Sequence, residues 1–295
     1  MKETFIQHKF SEESQRLIII INDILREYQA QNFRLSLRQL YYQLVARDYI
    51  PNSQRSYKNT GNLVSKARLA GLIDWTMIED RNRETVSVSH WENPGQIVRT
   101  AAQAFRIDKW ANQDYHIEVM VEKDALSGVL EPVCRELDIA ITANKGYSSS
   151  STMYEIGKRL DDKIYYNQKS VLILYLGDHD PSGIDMTRDV SERLWLFSGR
   201  DTQTVEIKRL ALNYDQVNLW NPPENPAKET DVRFRAYQES YGMSSWELDA
   251  VEPVQLAELV RNEVLSRRDE DLWLAALEQE DTMRDELKRF ADEYK

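Results

Sequence analysis

Apolar side chains recur at helical spacing through Leu17, Ile20, Ile21, Ile24, Leu25 and Tyr28, which predicts a helix over residues 11–31. Ser36, with Gln39 three positions on, carries a capping-box signature and opens a second helix that closes near Asp48, before Pro51. A third helix, over residues 57–70, stops at Gly71 and carries Lys58, Lys66 and Arg68. The segment Thr85-Val86-Ser87-Val88 then alternates with a period of two. Three short helices followed by such a segment predict a helix-turn-helix with a β wing.

From about residue 114 the pattern changes. Ile117-Glu118-Val119-Met120-Val121 predicts a strand, residues 125–137 a helix, 139–143 a strand and 151–160 a helix. Val171-Leu172-Ile173-Leu174-Tyr175-Leu176 is an unbroken apolar run, as a parallel strand buried on both faces requires. A helix over 184–196 and a strand over 205–210 follow. This alternation predicts a parallel sheet with right-handed crossovers. Residues 221–226, rich in Pro and Asn, read as an irregular excursion, and 255–293 as an acidic helical tail. The fold class expected is α/β, with a winged-helix-like domain over 1–112 and a Rossmann-like sheet domain over 113–295.

Composition narrows the class. No apolar run is long enough to span a bilayer, and the N-terminal residues lack the apolar stretch of a secretion signal, so a cytoplasmic protein without a membrane partner is expected. One cysteine, Cys134, excludes an intrachain disulfide and a thiolate zinc site; it reads as inert core. The net charge of −11 argues against nucleic acid until it is divided along the chain. Residues 1–110 hold 16 basic and 12 acidic side chains, whereas 111–295 hold 22 and 37. Within 34–83 nine basic residues face four acidic ones, so a local basic surface lies in the first domain.

In open parallel sheets ligands gather at the carboxyl ends of strands. Two such ends carry acids: Glu122-Lys123-Asp124, and Gly177-Asp178-His179-Asp180-Pro181-Ser182-Gly183. Asp178 and Asp180 lie two apart and leave an extended chain on the same side. With Glu122 they would offer hard oxygen ligands to Mg²⁺, and crowded carboxylates call for a cation. A turn-forming role before Pro181 and Gly183 accounts for the two aspartates equally well. His179 should point to the opposite side. Lys123 is a candidate phosphate contact or a local counter-charge. Ser148 to Ser151 suit a helix cap better than an anion site, and Trp273 suits packing or a subunit contact.

The second helix contains a tyrosine pair. Leu37, Leu40, Tyr41, Leu44 and Val45 form its apolar stripe, which makes Tyr41 core. Tyr42 falls about 100° round the helix, on the face of Arg38, and is expected to be exposed. A phenol beside a guanidinium suits attack on a phosphodiester, although its ordinary pKa near 10 demands a nearby cation or base. A plain surface tyrosine fits the same spacing.

The succession Val121-Glu122-Lys123, Gly146-Tyr147-Ser148 and Leu176-Gly177-Asp178-His179-Asp180-Pro181-Ser182-Gly183-Ile184 resembles the Toprim domain of the topoisomerase VI A-subunit family, which includes the transesterase of meiotic double-strand breaks. Trp246-Glu247-Leu248-Asp249-Ala250 is similar to a further family segment. Ser148 stands where the family usually has Pro. The resemblance covers roughly residues 34–190. It implies Mg²⁺ on Glu122, Asp178 and Asp180. It also implies Tyr42 as the nucleophile with Arg38 beside it, and phosphate contacts from Lys66, Arg68 and Lys123.

The activity implied is cleavage of DNA by tyrosine transesterification, leaving a 5′-phosphotyrosyl link. Tyrosine and metal act from different subunits in that family, so a homodimer is implied, with a separate ATPase subunit for strand passage. Two other readings stay open: a metal-dependent nuclease acting by hydrolysis, and a non-catalytic DNA-binding protein of mobile-element type.

Overall fold

A computed structural model describes residues 2–79, 88, 90–144, 149–201 and 204–293. Among these no helix is long and apolar enough to cross a membrane. The first helices form where their caps place them. Ser11 accepts the Ser14 N–H at 3.2 Å and starts α1 (Glu12–Ala30). After the two-residue strand β1 (Leu35–Ser36), the expected capping box opens α2 (Leu37–Ala46). The Gln39 N–H donates to Ser36 Oγ at 3.3 Å, and the Ser36 N–H donates to Gln39 Oε1 at 2.8 Å. Helix α3 (Gln54–Leu69) follows, and β2 (Ile78–Glu79) pairs in parallel with β1. Ile21, Ile24, Leu25, Leu40, Leu44, Val64 and Ile73 from these elements close one core. The wing expected over 85–88 falls almost wholly outside the described residues.

Helix α4 (Pro94–Ala104) does not join that core. It packs along the C-terminal helix, so the first core closes near Ile78 and the chain from α4 onward belongs with the second body. That body is a parallel sheet of β3 (Tyr115–Val121), β4 (Ala140–Ala143), β5 (Ser170–Leu176) and β6 (Val205–Ala211), in the order β4-β3-β5-β6. Helices α5 (Ser127–Glu136), α6 (Ser150–Asn167) and α7 (Pro181–Ser198) make the crossovers. The period-two alternation separates two cores. Ile117, Val119, Leu172, Leu174 and Leu176 face one side, and Met120, Val171, Ile173 and Tyr175 the other. Both faces are covered, which is why the run 171–176 is apolar throughout. Burying each of those side chains contributes about 1.5–3 kcal/mol.

The chain then runs through α8 (Tyr214–Trp220), β7 (Glu224–Pro226), α9 (Phe234–Tyr241), β8 (Ser244–Trp246), α10 (Pro253–Leu265) and α11 (Glu270–Glu293). The stretch expected to be irregular is partly ordered: β7 pairs antiparallel with β8. Trp273 of α11 meets Trp110 edge-on at 6.1 Å, a packing role as expected. Cys134 is buried, and burial pushes its thiol up to about 12, so it is inert core.

Candidate phosphoryl-transfer site

The strand order reverses between β3 and β5, and in open parallel sheets ligands gather at such a point, outside the carboxyl ends of the strands. Glu122 is the first residue past β3, and Asp178 the second past β5. Their backbones stay paired one step beyond the ladder, the Glu122 N–H donating to Leu176 O at 2.9 Å. Glu122 Oε2 then accepts the Asp178 N–H at 2.8 Å. Gly177 makes room for this contact, since a Cβ there would lie 2.7 Å from Glu122 Oε2. Gly183 is fixed by the same logic: a Cβ would lie 2.3 Å from the Asp178 carbonyl oxygen. Gly183, which faces backbone, is therefore a steric requirement of the loop, whereas a Cβ at Gly177 would displace the Glu122 carboxylate and the Tyr175 ring.

Asp178 and Asp180 have different tasks. Asp178 Oδ1 accepts the Leu248 N–H at 2.8 Å, and Oδ2 meets Lys123 Nζ at 2.6 Å. Asp180 caps α7, its Oδ1 accepting from Gly183 N at 2.6 Å and Ser182 Oγ at 2.8 Å. The turn-forming reading thus holds for Asp180 and fails for Asp178. Between them His179 turns away as expected, with Nδ1 2.8 Å from Tyr237 Oη inside a box of Tyr214, Tyr237, Tyr241 and Trp246. Burial, with Arg209 adding to it, lowers His179 to about 4, so its ring is neutral at physiological pH.

A third segment completes the cluster. The His179 N–H donates to Trp246 O at 2.8 Å and the Trp246 N–H to His179 O at 2.9 Å, which fastens Glu247 and Asp249 beside the strand ends. Lys123 Nζ lies 2.9 Å from Glu247 Oε2 and 3.3 Å from Asp249 Oδ2. Arg38 of α2 pairs with Glu247, and its Nε lies 3.4 Å from Asp249 Oδ2. Both Asp249 oxygens are buried, and neither accepts a hydrogen bond of good geometry. From the far side Arg209 of β6 clamps the loop, donating to Gly177 O at 3.0 Å and to Asp178 O and Gly183 O at 2.6 and 3.0 Å.

The electrostatics follow from this crowding. Burial and then the neighbouring Asp178 raise Glu122 to about 7. Burial likewise raises Asp178 and Asp249 above the ordinary aspartate range. Burial also opposes the charge on the half-buried Glu247, yet Lys123 and Arg38 hold it below its ordinary value. Burial opposes the charge on Lys123, but Asp178, Asp249 and Glu247 outweigh it and raise its pKa. Four acids thus surround two cations in a partly buried space.

Such a set of hard oxygen donors fits a divalent ion like Mg²⁺ in its chemistry, since that ion takes one or two carboxylates and keeps waters. Among the described residues no three acidic, histidine or cysteine side chains close into a ready-made cage. Lys123 stands where the acids of the three segments meet.

Tyr42 departs from its expected place. It is only 4% exposed, as is Tyr41, because the turn Leu248–Ala250 covers that side of α2 and Ala250 packs on both rings together with Val45. This covering comes from residues two hundred positions away, which helical periodicity does not report. Asn225 Nδ2 donates to the Tyr42 hydroxyl at 3.4 Å, and the Arg38 guanidinium lies 5.9 Å from the ring centre. Burial, then Glu247, raises the phenol to about 12. The expected pairing with Arg38 is present; the exposure is not.

The remaining candidates are dispersed. Lys66 is exposed on α3. Arg68 donates to Trp75 O at 3.0 Å and Ile78 O at 2.8 Å, holding the end of α3 to the following turn. Ser149 caps α6, accepting the Thr152 N–H at 3.1 Å, while Gly146-Tyr147-Ser148 lies outside the described residues. Glu247, Asp249, Arg209 and Asn225 had been given no role from sequence. Only the acidic pair had a signal, in the resemblance of Trp246–Ala250 to a family segment.

In comparisons with known proteins, no family model matches the chain and no curated protein matches it.

Proposed function

We propose that this chain is a metal-dependent DNA-cleaving enzyme of the topoisomerase VI A-subunit type. Its Toprim-like sheet would bear the acids and its winged-helix-like helices the tyrosine. What supports the reading is one continuous polar path. It runs from Tyr42 through Arg38 and Glu247 to Lys123, Asp178 and Glu122, and joins both halves of the chain.

Glu122, Asp178 and Asp249 would hold Mg²⁺, with Asp180 positioning the loop and offering its second oxygen. The ion, when bound, supplies positive charge against the phosphate and the leaving oxygen. Arg38 and Lys123 would orient the phosphodiester through its non-bridging oxygens. Attack forms a bond from Tyr42 Oη to phosphorus and breaks the bond to the 3′ oxygen. The phenolic proton passes to water, and the 3′ oxygen leaves with a proton from solvent. Because burial and Glu247 hold the phenol near 12, phosphate binding must displace Glu247 from Tyr42 before the oxygen becomes nucleophilic. Two chains would act together as a homodimer, and a separate ATPase subunit would be required for strand passage.

The burial of Tyr42 favours a second reading, hydrolysis by water at the same acids with no covalent link. Denaturing a mixture of protein, 3′-end-labelled DNA and Mg²⁺ separates the two. Label that stays on the polypeptide and vanishes with Tyr42→Phe supports transesterification. Cleavage that survives Tyr42→Phe without label on protein supports hydrolysis, and no cleavage with retained DNA binding supports neither.

A further inference from the structure

Tyr41 and Tyr42 are adjacent phenols, and the polar atoms around them give their oxygens different roles. The Ser53 N–H donates to Tyr41 Oη at 2.8 Å, and the Tyr41 hydroxyl donates its own proton to Asn52 Oδ1 at 2.9 Å. Asn52 Nδ2 in turn donates to Glu224 O at 3.0 Å and to Asn225 Oδ1 at 2.9 Å. A backbone carbonyl can only accept, which fixes the Asn52 amide with its nitrogen on that side. Asn225 must therefore turn its oxygen to Asn52 and its nitrogen to Tyr42, and its Nδ2 donates to Tyr42 Oη at 3.4 Å. The direction of this relay is set by the Ser53 N–H at one end and by Glu224 O beside Asn52, two backbone groups that cannot change role.

The segment that carries Asn225 is the one that brings in Glu247. Asn225 lies in β7 opposite Ser245 of β8, and Ser245 Oγ donates to Asn225 O at 3.3 Å. Its half-buried side chain lines a cavity of about 520 Å³ together with Arg38, Tyr42, Asn52 and Glu247. The charged groups facing the phenol are Arg38 of its own helix and Glu247 beyond β8, and Lys58 of α3 lines the same cavity. Asn225 is neutral, so a phosphate that displaces Glu247 has no charge to repel there, and the amide stays on the oxygen.

At 3.4 Å the bond is long, since N–H···O contacts favour about 2.9–3.0 Å. Negative charge on the acceptor shortens and strengthens such a bond. A contact that is weak in the ground state and strong once charge has developed lowers the barrier to reaction and leaves substrate affinity alone. We infer that Asn225 is a catalytic donor to the Tyr42 oxygen, holding the charge that develops there during attack, and that Asn52 is the positioning residue that points its amide. This role rests on the transesterase reading above, whereas the direction of the relay does not.

One measurement needs no activity. 3,5-Difluorotyrosine is placed at position 42 of the full chain, and its phenolate absorbance is followed against pH in EDTA. Asn225→Leu keeps the bulk of the side chain and removes the donor, so the phenol should become about a tenfold weaker acid. A side chain that served only packing would act in the opposite sense. Burial holds the Tyr42 phenol up at about 12, and loosening the site would make it a stronger acid. Asn52→Leu leaves β7 itself unaltered and should move the titration the same way by a smaller factor; it carries the test if Asn225→Leu does not fold by circular dichroism. On the chain with its natural tyrosine, Asn225→Leu should slow covalent capture of a 3′-end-labelled duplex about a hundredfold at saturating DNA, as losing one donor to a developing oxyanion does, with DNA affinity in EDTA unchanged.

A folded Asn225→Leu chain whose phenol is as strong an acid as the parent's, or stronger, overturns the inference. So does slower capture that comes wholly from weaker DNA binding. A parent that never captures DNA, while Asn225→Leu still weakens its phenol, sinks the transesterase and keeps the donor. A parent that captures DNA, while its phenol ignores both substitutions, keeps the transesterase and sinks the donor.

Discussion

Glu122 is at odds with its surroundings, and replacing it should strengthen the fold while removing the activity. In the folded chain its pKa stands at about 7 because of burial and the adjacent Asp178, against 4.5 for an ordinary glutamate. Below pH 4.5 Glu122 carries the proton in both the folded and the unfolded chain. Between 4.5 and 7 the folded chain binds more proton than the unfolded one, so stability falls as pH rises. Above 7 the full penalty is present.

A shift of this size corresponds to about 3 kcal/mol. Glu122→Gln keeps an oxygen to accept the Asp178 N–H and adds an amide that can donate to a neighbouring carboxylate, so it should recover most of that amount at pH 8. Urea melts in EDTA, on parent and variant, give the comparison directly. The variant should be more stable by about 3 kcal/mol at pH 8, with the difference shrinking toward zero at pH 4.5, and Mg²⁺ should stabilise only the parent. A variant that is less stable than the parent at pH 8, or a difference that ignores pH, would refute the claim that these carboxylates are mutually strained.

Further substitutions probe the parts that hold the cluster. Gly183→Ala in the first turn of α7 would normally stabilise a helix, by up to about 1 kcal/mol. Here the added methyl meets the Asp178 carbonyl oxygen at 2.3 Å, so thermal melting should show a loss of about 1–3 kcal/mol instead. Arg209→Met removes the guanidinium donor from the carbonyls of Gly177, Asp178 and Gly183, of which Gly177 keeps the Leu212 N–H. It should cost about 3 kcal/mol or more in urea melts, and no less at pH 8 than at pH 5. Ser36→Ala removes the cap of α2 and should lower stability by about 1 kcal/mol without altering the strand ends.

The sheet was legible because its signals are local. The run Val171–Leu176 reads as a strand covered on both faces, and its neighbours lie in the order their crossovers allow. The capping box at Ser36 marked the start of α2 to the residue. Glu122 and Asp178 were found for the same reason: each ends a strand, and the two strands adjoin at the point where the order reverses. What stayed hidden depends on contacts between distant segments. Nothing within α2 says that Ala250 will cover Tyr42, and nothing near Asp249 says that Arg38 will pair with it. The helix α4 looked like part of the first domain by position, whereas its partner α11 lies at the other end of the chain. Asp180 looked equivalent to Asp178 by spacing, and the difference arises only once α7 needs a cap.

The claim beneath all of this is that the acids at the ends of β3 and β5, with Asp249, can share a divalent ion. Titrating the chain with Mn²⁺ and following the free ion by electron paramagnetic resonance tests it without any substrate. The account predicts one saturable site, displaced by Mg²⁺, and lost in both Asp178→Asn and Asp249→Asn while their folds persist by circular dichroism. A chain that binds no Mn²⁺ saturably, or binds it unchanged in both variants, would contradict it.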